Sequence, residues 1–313
     1  MPNYEVGSLL KKLRKQKGLS QEELAFPIID RATLSKIESG KTLPHRKTLE
    51  FLFDKLGFDA DEYLRHFLTT EEAETKRLQS ELHYILRIGM RSDTERYKKE
   101  CSSKVLELIS CLESDEEYVS HPLNLQFLLM ARAFHSFNLY EDEKALAYIK
   151  QGLGITIVDF NESDIANYYL TRHDRNLLIR LAGLYSGMKR YDEAINIYHK
   201  LKENTDIMCV DIKLHARRVS VVMYNLADTC MEAERHPETL EACEEGIKAC
   251  YAAGDFFVFK ELHWLKAQAL LHLGEKEEFL LLAEKLYYAF DLHEDARSKK
   301  YVETIKRCID DIK

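Results

Sequence analysis

Residues 177–201, LLIRLAGLYSGMKRYDEAINIYHKL, decide what most of this chain is. Ala182, Tyr185, Tyr191, Ala194 and Tyr198 fall at offsets 0, 3, 9, 12 and 16. Apolar residues three and four apart share one face of a helix, so the string reads as amphipathic helix, short turn, amphipathic helix. Ala227, Cys230, His236, Thr239 and Cys243 repeat the same offsets 45 residues later, and Ala267, Leu270, Lys276, Phe279 and Ala283 do so after another 40. An earlier copy is Ala131, Phe134, Tyr140, Ala145 and Ile149, with a turn read as two residues longer. Helical pattern with short breaks runs from residue 70 onward. A recurrence on this scale marks stacked helical pairs, each burying its apolar face against the next.

The spacing resembles the tetratricopeptide repeat, in which two antiparallel helices meet at small residues with larger ones wedged around them. The intervals exceed that repeat's usual ~34 residues, which implies longer helices and connections. Residues 72–115 are expected to form one more pair and 284–313 a closing one. About five pairs would then stack into a right-handed superhelix whose first helices line a concave groove.

Composition agrees with an all-α chain. Of 313 residues, 45% are hydrophobic and 31% charged, enough for a core and too apolar for a disordered chain. Twelve glycines and five prolines are too few for the turns of a β-sandwich or barrel. No apolar run reaches the ~18–20 residues that span a bilayer, and the N-terminal MPNYEVGSLLKKLRKQ has no signal-peptide apolar stretch, so no membrane is expected and the cytoplasm is the expected compartment. Seven cysteines form no CxxC pair and are expected to serve as small apolar residues, with no metal and no cofactor.

The net charge of −8 is unevenly spread. Residues 1–47 carry ten Lys/Arg against five acids, a net of +5, which leaves −13 for the rest. A basic head on an acidic body suits a polyanion bound by the head alone. The plain alternative is that residues 11–17 form the solvated side of a helix.

The head reads as five short helices. Val6, Leu9, Leu10 and Leu13 make an amphipathic face that Gly18 closes. Ser20 and Glu23 form a capping box for a second helix, with Leu24 and Ala25 inward, and Pro27 cuts it short. Asp30 is placed to cap a third helix over 31–38, with Leu34 and Ile37 inward and Gly40 as stop. Leu49, Leu52, Phe53 and Leu56 mark a fourth, ended by Gly57; Asp59 starts a fifth carrying Tyr63, Leu64 and Phe67.

The run LKKLRKQKGLSQEELAFPIIDRATLSKIESGKTLPHRKTLEFLFDKLG, residues 10–57, resembles the Xre/Cro-type helix-turn-helix domain of bacterial and phage repressors. "GLSQEELA", "LSKIESGK" and "TLEFLFDKLG" stand in the family's order, and the match covers about residues 5–68. The turn PIID is one residue shorter than the usual pattern and has no glycine. In such domains the third helix enters the major groove. That makes Arg31, Ala32, Thr33, Ser35 and Lys36 the candidate base-reading row. Arg31 and Lys36 can donate to guanine O6 and N7, and Ala32 and Thr33 can pack on thymine methyls. Gln21 at a helix start suits a phosphate, and Lys41, Thr42, Arg46 and the 11–17 cluster supply attraction independent of sequence.

In the body, the positions six, three and two before each repeat's key alanine, and the one after it, are expected to face the groove. The candidate peptide-binding residues so selected are Arg132, Asn176, Arg180, Tyr224, Asn225, Asp228, Trp264 and Gln268, beside apolar Leu128, Leu129, Ile179, Val221 and Leu265. Amides can pair with a peptide backbone, rings can receive apolar side chains, and a guanidinium can take a carboxylate. An enzyme reading finds no HExxH, GxxxxGK[ST] or GxSxG, so no catalytic residue is expected.

A Xre-type head followed by a long tetratricopeptide body resembles the quorum-sensing regulators of Firmicutes, the Rap–NprR–PlcR–PrgX group and the neighbouring Rgg regulators. The resemblance implies a DNA-binding domain over 1–69 and a peptide-binding and dimerisation domain over 70–313. It also implies a cytoplasmic homodimer on an inverted-repeat operator, switched by a short signalling peptide. The open alternative is a repeat scaffold that is regulated by, or sequesters, a partner protein without any peptide.

Overall fold

A computed structural model describes residues 3–42, 44–58, 70–89, 95–292 and 296–312. It is helical, with no strand among the described residues, and forms two compact units, Met1–Leu181 and Ala182–Lys313.

The first unit opens with α1 (Asn3–Gln16), α2 (Gln21–Ala25), α3 (Arg31–Glu38) and α4 (Arg46–Lys55). Local chemistry sets these boundaries. Ser20 Oγ accepts the Glu23 N–H while the Glu23 carboxylate accepts the Ser20 N–H, a complete capping box. Asp30 caps α3 by accepting the Thr33 N–H at 2.7 Å. Leu10, Leu24, Leu34, Ile37, Leu52 and Leu56 are sealed in one core. Where α1 crosses α3, a Cβ on Gly7 would stand 2.0 Å from the Ile37 carbonyl oxygen, so only glycine permits this approach. The fifth helix expected after Asp59 lies outside the described residues.

The same unit continues through α5 (Thr70–Gly89), α6 (Glu95–Glu113), α7 (Glu116–Ser120), α8 (Pro122–Asn138) and α9 (Asp142–Gly154). A 3₁₀ turn (Glu162–Asn167) then leads into α10 (Arg172–Gly187). The head is built into these helices. Leu123 of α8 belongs to the head's own core. Arg175 pairs with Asp54 at 3.0 Å, and the Arg172 N–H donates to the same carboxylate. Lys76 meets Glu50 at 2.9 Å, and the Lys47 ammonium lies 4.2 Å above the Tyr118 ring. Lys55 donates to the carbonyls of Glu23 and Phe26, and its burial pulls its pKa down to about 8.

The second unit holds the end of α10, then α11 (Tyr191–Met208), α12 (Ile212–Glu232), α13 (His236–Ala253), α14 (Phe259–Leu273), α15 (Lys276–Asp291) and α16 (Ala296–Asp310). Residues expected to make a closing pair make the end of α15 and the single helix α16, which lays Tyr301 on Phe290 with ring centres 4.5 Å apart. Among the cysteines, 230, 243 and 250 are buried as small apolar residues, whereas Cys111 is exposed.

One turn is rebuilt within four pairs. Tyr140, Lys189, Glu234 and Gly274 have φ of 59°, 62°, 59° and 86°. After each, the next N–H closes on a carbonyl five residues back: Glu141 on Ser136 (2.9 Å), Arg190 on Tyr185 (2.8 Å), Arg235 on Cys230 (2.8 Å) and Glu275 on Leu270 (2.9 Å). This is the Schellman closure of a helix C-terminus. In the three later copies the left-handed residue follows the key alanine by seven positions, and counting back seven from Tyr140 reaches Ala133. The first copy is therefore keyed on Ala133, not Ala131, and its two extra residues lie in the helix, not the turn.

Candidate nucleic-acid interface and repeat face

α3 is held from below and free above. Leu34 and Ile37 are buried, while Arg31, Ala32, Ser35 and Lys36 are exposed and Thr33 is half-buried with its N–H on the cap. The backbone bond from Thr33 holds the Asp30 carboxyl below its usual range. Lys41 and Thr42 are exposed just beyond the helix.

Two candidates are engaged within the fold. Gln21 donates through Nε2 to Glu38 at 2.8 Å, and Arg46 pairs with Glu50 at 2.9 Å. Of the 11–17 cluster, Lys11, Lys12 and Lys15 are exposed, but Arg14 is not part of the surface. Its guanidinium is buried against Glu38, with Nη2 donating at 2.9 Å, and Nη1 reaches the Leu19 carbonyl at 2.8 Å. Burial pushes the Glu38 carboxyl upward, but bonds from Arg14 and Gln21 outweigh it and leave the carboxyl below its ordinary value. Sequence reasoning missed this pair. Its signal was present: Arg14 stands four residues after Leu10, and Glu38 four after Leu34, opposite charges on two apolar stripes.

In the first unit, α10 presents Asn176 and Arg180, both half-buried and four residues apart, hence on one face. Asn176 makes no side-chain hydrogen bond among the described residues. Arg180 stacks on Phe134, its guanidinium carbon 5.1 Å from the ring centre. Seven residues earlier on the same helices, His173 packs on Phe127 at 5.6 Å, and Phe127 packs on His83 of α5 at 6.3 Å. Burial lowers His173 to about 4.

Arg132 does not join this face. The two-residue register correction turns α8 by about 200° relative to the expected reading. Met130, Ala131 and Phe134 therefore take the places assigned to Leu128, Leu129 and Arg132. Arg132 instead binds Glu113 of α6 through Nη2 at 2.7 and 2.8 Å.

In the second unit, Tyr224 and Asn225 are half-buried and Asp228 is exposed on α12. Asn225 Nδ2 donates to the Val221 carbonyl of its own helix at 2.7 Å, and its oxygen has no hydrogen bond among the described residues. Gln268 is half-buried with no side-chain hydrogen bond among the described residues. Trp264 is a core residue, 6% exposed, packed with Phe279, Phe290 and Ile305 and edge-on to Tyr301 at 6.1 Å. The closing helix α16 covers the face that Trp264 was expected to present to a ligand.

A capped helix carrying an exposed row, set among the four described helices of a basic head and followed along the chain by helical pairs, is a helix-turn-helix arrangement joined to a repeat-like body. Residues 10–63 match the helix-turn-helix family model. Over nearly its full length the chain is similar in fold to PlcR of Bacillus thuringiensis solved in complex with the peptide PapR7 and DNA. That similarity has a TM-score of 0.60 at 18% identity, covering 96% of this chain and 99% of that one. PlcR in its apo form gives 0.58 at 17% identity, covering 97% and 98%. The apo form of the competence regulator ComR from Streptococcus vestibularis gives 0.53 at 14% identity, covering 99% of each chain. No curated protein sequence matches the chain. At these identities the likeness is one of fold.

Proposed function

We propose that this protein is a cytoplasmic, homodimeric transcriptional regulator whose operator binding is switched by a short signalling peptide held on the first helices of its repeat pairs. The observation that carries the reading is the exposed row Arg31, Ala32, Ser35 and Lys36 on a helix fixed by its cap and core. It stands in a chain that shares its fold, end to end, with a protein solved with both peptide and DNA. Residues 1–69 then bind DNA, and residues 70–313 bind peptide and dimerise. Arg31 and Lys36 read base edges, with Ala32, Thr33 and Ser35 beside them. Lys41, Thr42 and the exposed lysines of α1 meet phosphates, and Gln21 and Arg46 contact the backbone from positions fixed by Glu38 and Glu50. On the body, Asn176, Asn225 and Gln268 offer amides to an extended peptide, flanked by Tyr224 and Asp228. No helix among the described residues is long and apolar enough to cross a membrane.

Fluorescence anisotropy on a selected operator and on random DNA tests the head. Arg31→Ala is expected to cost ~1–3 kcal/mol on the operator and to relax base preference at one position. Lys41→Ala is expected to weaken both DNAs alike and to flatten the salt slope by about one charge. Identical behaviour of the two variants on both DNAs refutes the assignment. Calorimetry of the full chain against short peptides encoded beside its own gene tests the switch, and Asn225→Ala is expected to weaken such binding at least about fivefold by removing a backbone partner.

A further inference from the structure

The first helices of the first unit carry two arginines with opposite circumstances. Arg132 is satisfied by a two-oxygen contact with Glu113. Arg180 has no carboxylate partner among the described residues. Among the described residues its one hydrogen bond, from Nη2 to the Leu86 carbonyl, is long at 3.4 Å, and its buried Nε has no acceptor. Burial alone lowers its pKa, to about 10, so it stays charged near neutrality. A guanidinium has five donors in a planar fork, and leaving them unpaired in a shielded place is costly. The ring of Phe134 lies against that fork, its centre 5.1 Å from the guanidinium carbon. Four residues earlier on the same face, the Asn176 amide is unbound among the described residues. Two turns earlier lies the stack of His173, Phe127 and His83. The rest of the chain outside the basic head carries a net −13, so a cation with no carboxylate partner among the described residues stands against the general charge of the body.

We infer that the ligand of the repeat body presents a carboxylate to Arg180, which grips it through its planar fork while Phe134 supports the other face. The inference rests on the peptide reading above and adds the chemistry that the peptide must bring. Arginine matches a carboxylate with two parallel N–H···O bonds, and such charge-assisted pairs are the strong ones in a shielded site. A ligand lying along α10 passes the Asn176 amide before its carboxylate meets Arg180. The carboxylate is either the peptide's free C-terminus or an Asp or Glu side chain.

The test uses the full-length protein and random N-acetylated heptapeptide pools made in four versions, with free or amidated C-termini and with or without Asp and Glu. Peptides retained through gel filtration are counted by mass spectrometry. Wild type is expected to retain at least tenfold more from pools with a carboxylate than from the amidated pool lacking acids, and the two singly acidic pools show which source is used. Arg180→Gln is expected to fall to the neutral-pool level with carboxylate-bearing pools, and Arg180→Lys to recover part of the loss. The wild-type comparison among pools needs no variant and stands even if Arg180→Gln misfolds. Equal retention of neutral and acidic pools overturns the carboxylate and leaves peptide binding intact. Retention of no pool by wild type overturns the peptide reading and this inference with it.

Discussion

Breaking the Arg14–Glu38 pair on one side leaves the other charge buried alone in the head. Glu38→Ala is expected to destabilise the protein by about 3–5 kcal/mol in urea unfolding, because it strands the guanidinium of Arg14 and frees Gln21. The double change Arg14→Met with Glu38→Leu is expected to cost much less, since apolar residues of similar volume replace both charges. A double variant no more stable than Glu38→Ala would refute that account. His173 offers a second test. Its pKa of about 4 in the fold lies below the ordinary 6.5, so between those values the unfolded chain binds a proton that the native protein does not. The stability it contributes is complete above about pH 6.5 and is lost as pH falls toward 4. His121, also near 4, acts in the same direction. His173→Phe keeps a ring against Phe127 and removes the proton, so stability should fall with acid less steeply by up to about one proton. Urea midpoints from pH 7 to 4 measure that slope.

At the scale of elements, Lys189, Glu234 and Tyr140 occupy a backbone conformation that side chains with a Cβ resist. Glu234→Gly is expected to raise stability by roughly 1 kcal/mol, net of the entropy that glycine adds to the unfolded chain. An unchanged or lowered thermal midpoint would show that the Glu234 side chain contributes more than its strain costs. These turns also show what could be read from sequence. The pairs were legible because small or apolar residues at offsets 0, 3, 12 and 16 follow the helical period. Register in the first copy was not, because Ala131 and Ala133 both offer a small residue and only the turn after Tyr140 selects between them. Trp264 failed for another reason: its face is set by α16, a long-range neighbour that no local period encodes. In the head, Ser20, Glu23 and Asp30 announced their helices through capping chemistry that acts within four residues.

At the scale of the whole molecule, the family resemblance implies a boundary near residue 69, whereas packing makes residues 1–181 one compact unit. A fragment ending at 69 loses Leu123 from the head's core and Arg175 from Asp54. Removal of one large core side chain costs about 2–5 kcal/mol, so the 1–69 fragment should unfold at a markedly lower temperature than 1–181. Equal midpoints for the two heads would show that Leu123 is dispensable. On DNA, the proposed full-length dimer should protect an inverted repeat whose half-sites lie about 34 Å or a multiple apart. The 1–181 fragment should bind a half-site weakly and with strong salt dependence. The Schellman turn carries one more consequence. Built from tyrosine, lysine, glutamate and glycine alike, it is closed by backbone hydrogen bonds and takes several side chains at a modest cost in strain, so a lineage can rewrite the body's sequence while its helical pairs persist. Homology then fades from the alphabet long before it fades from the backbone.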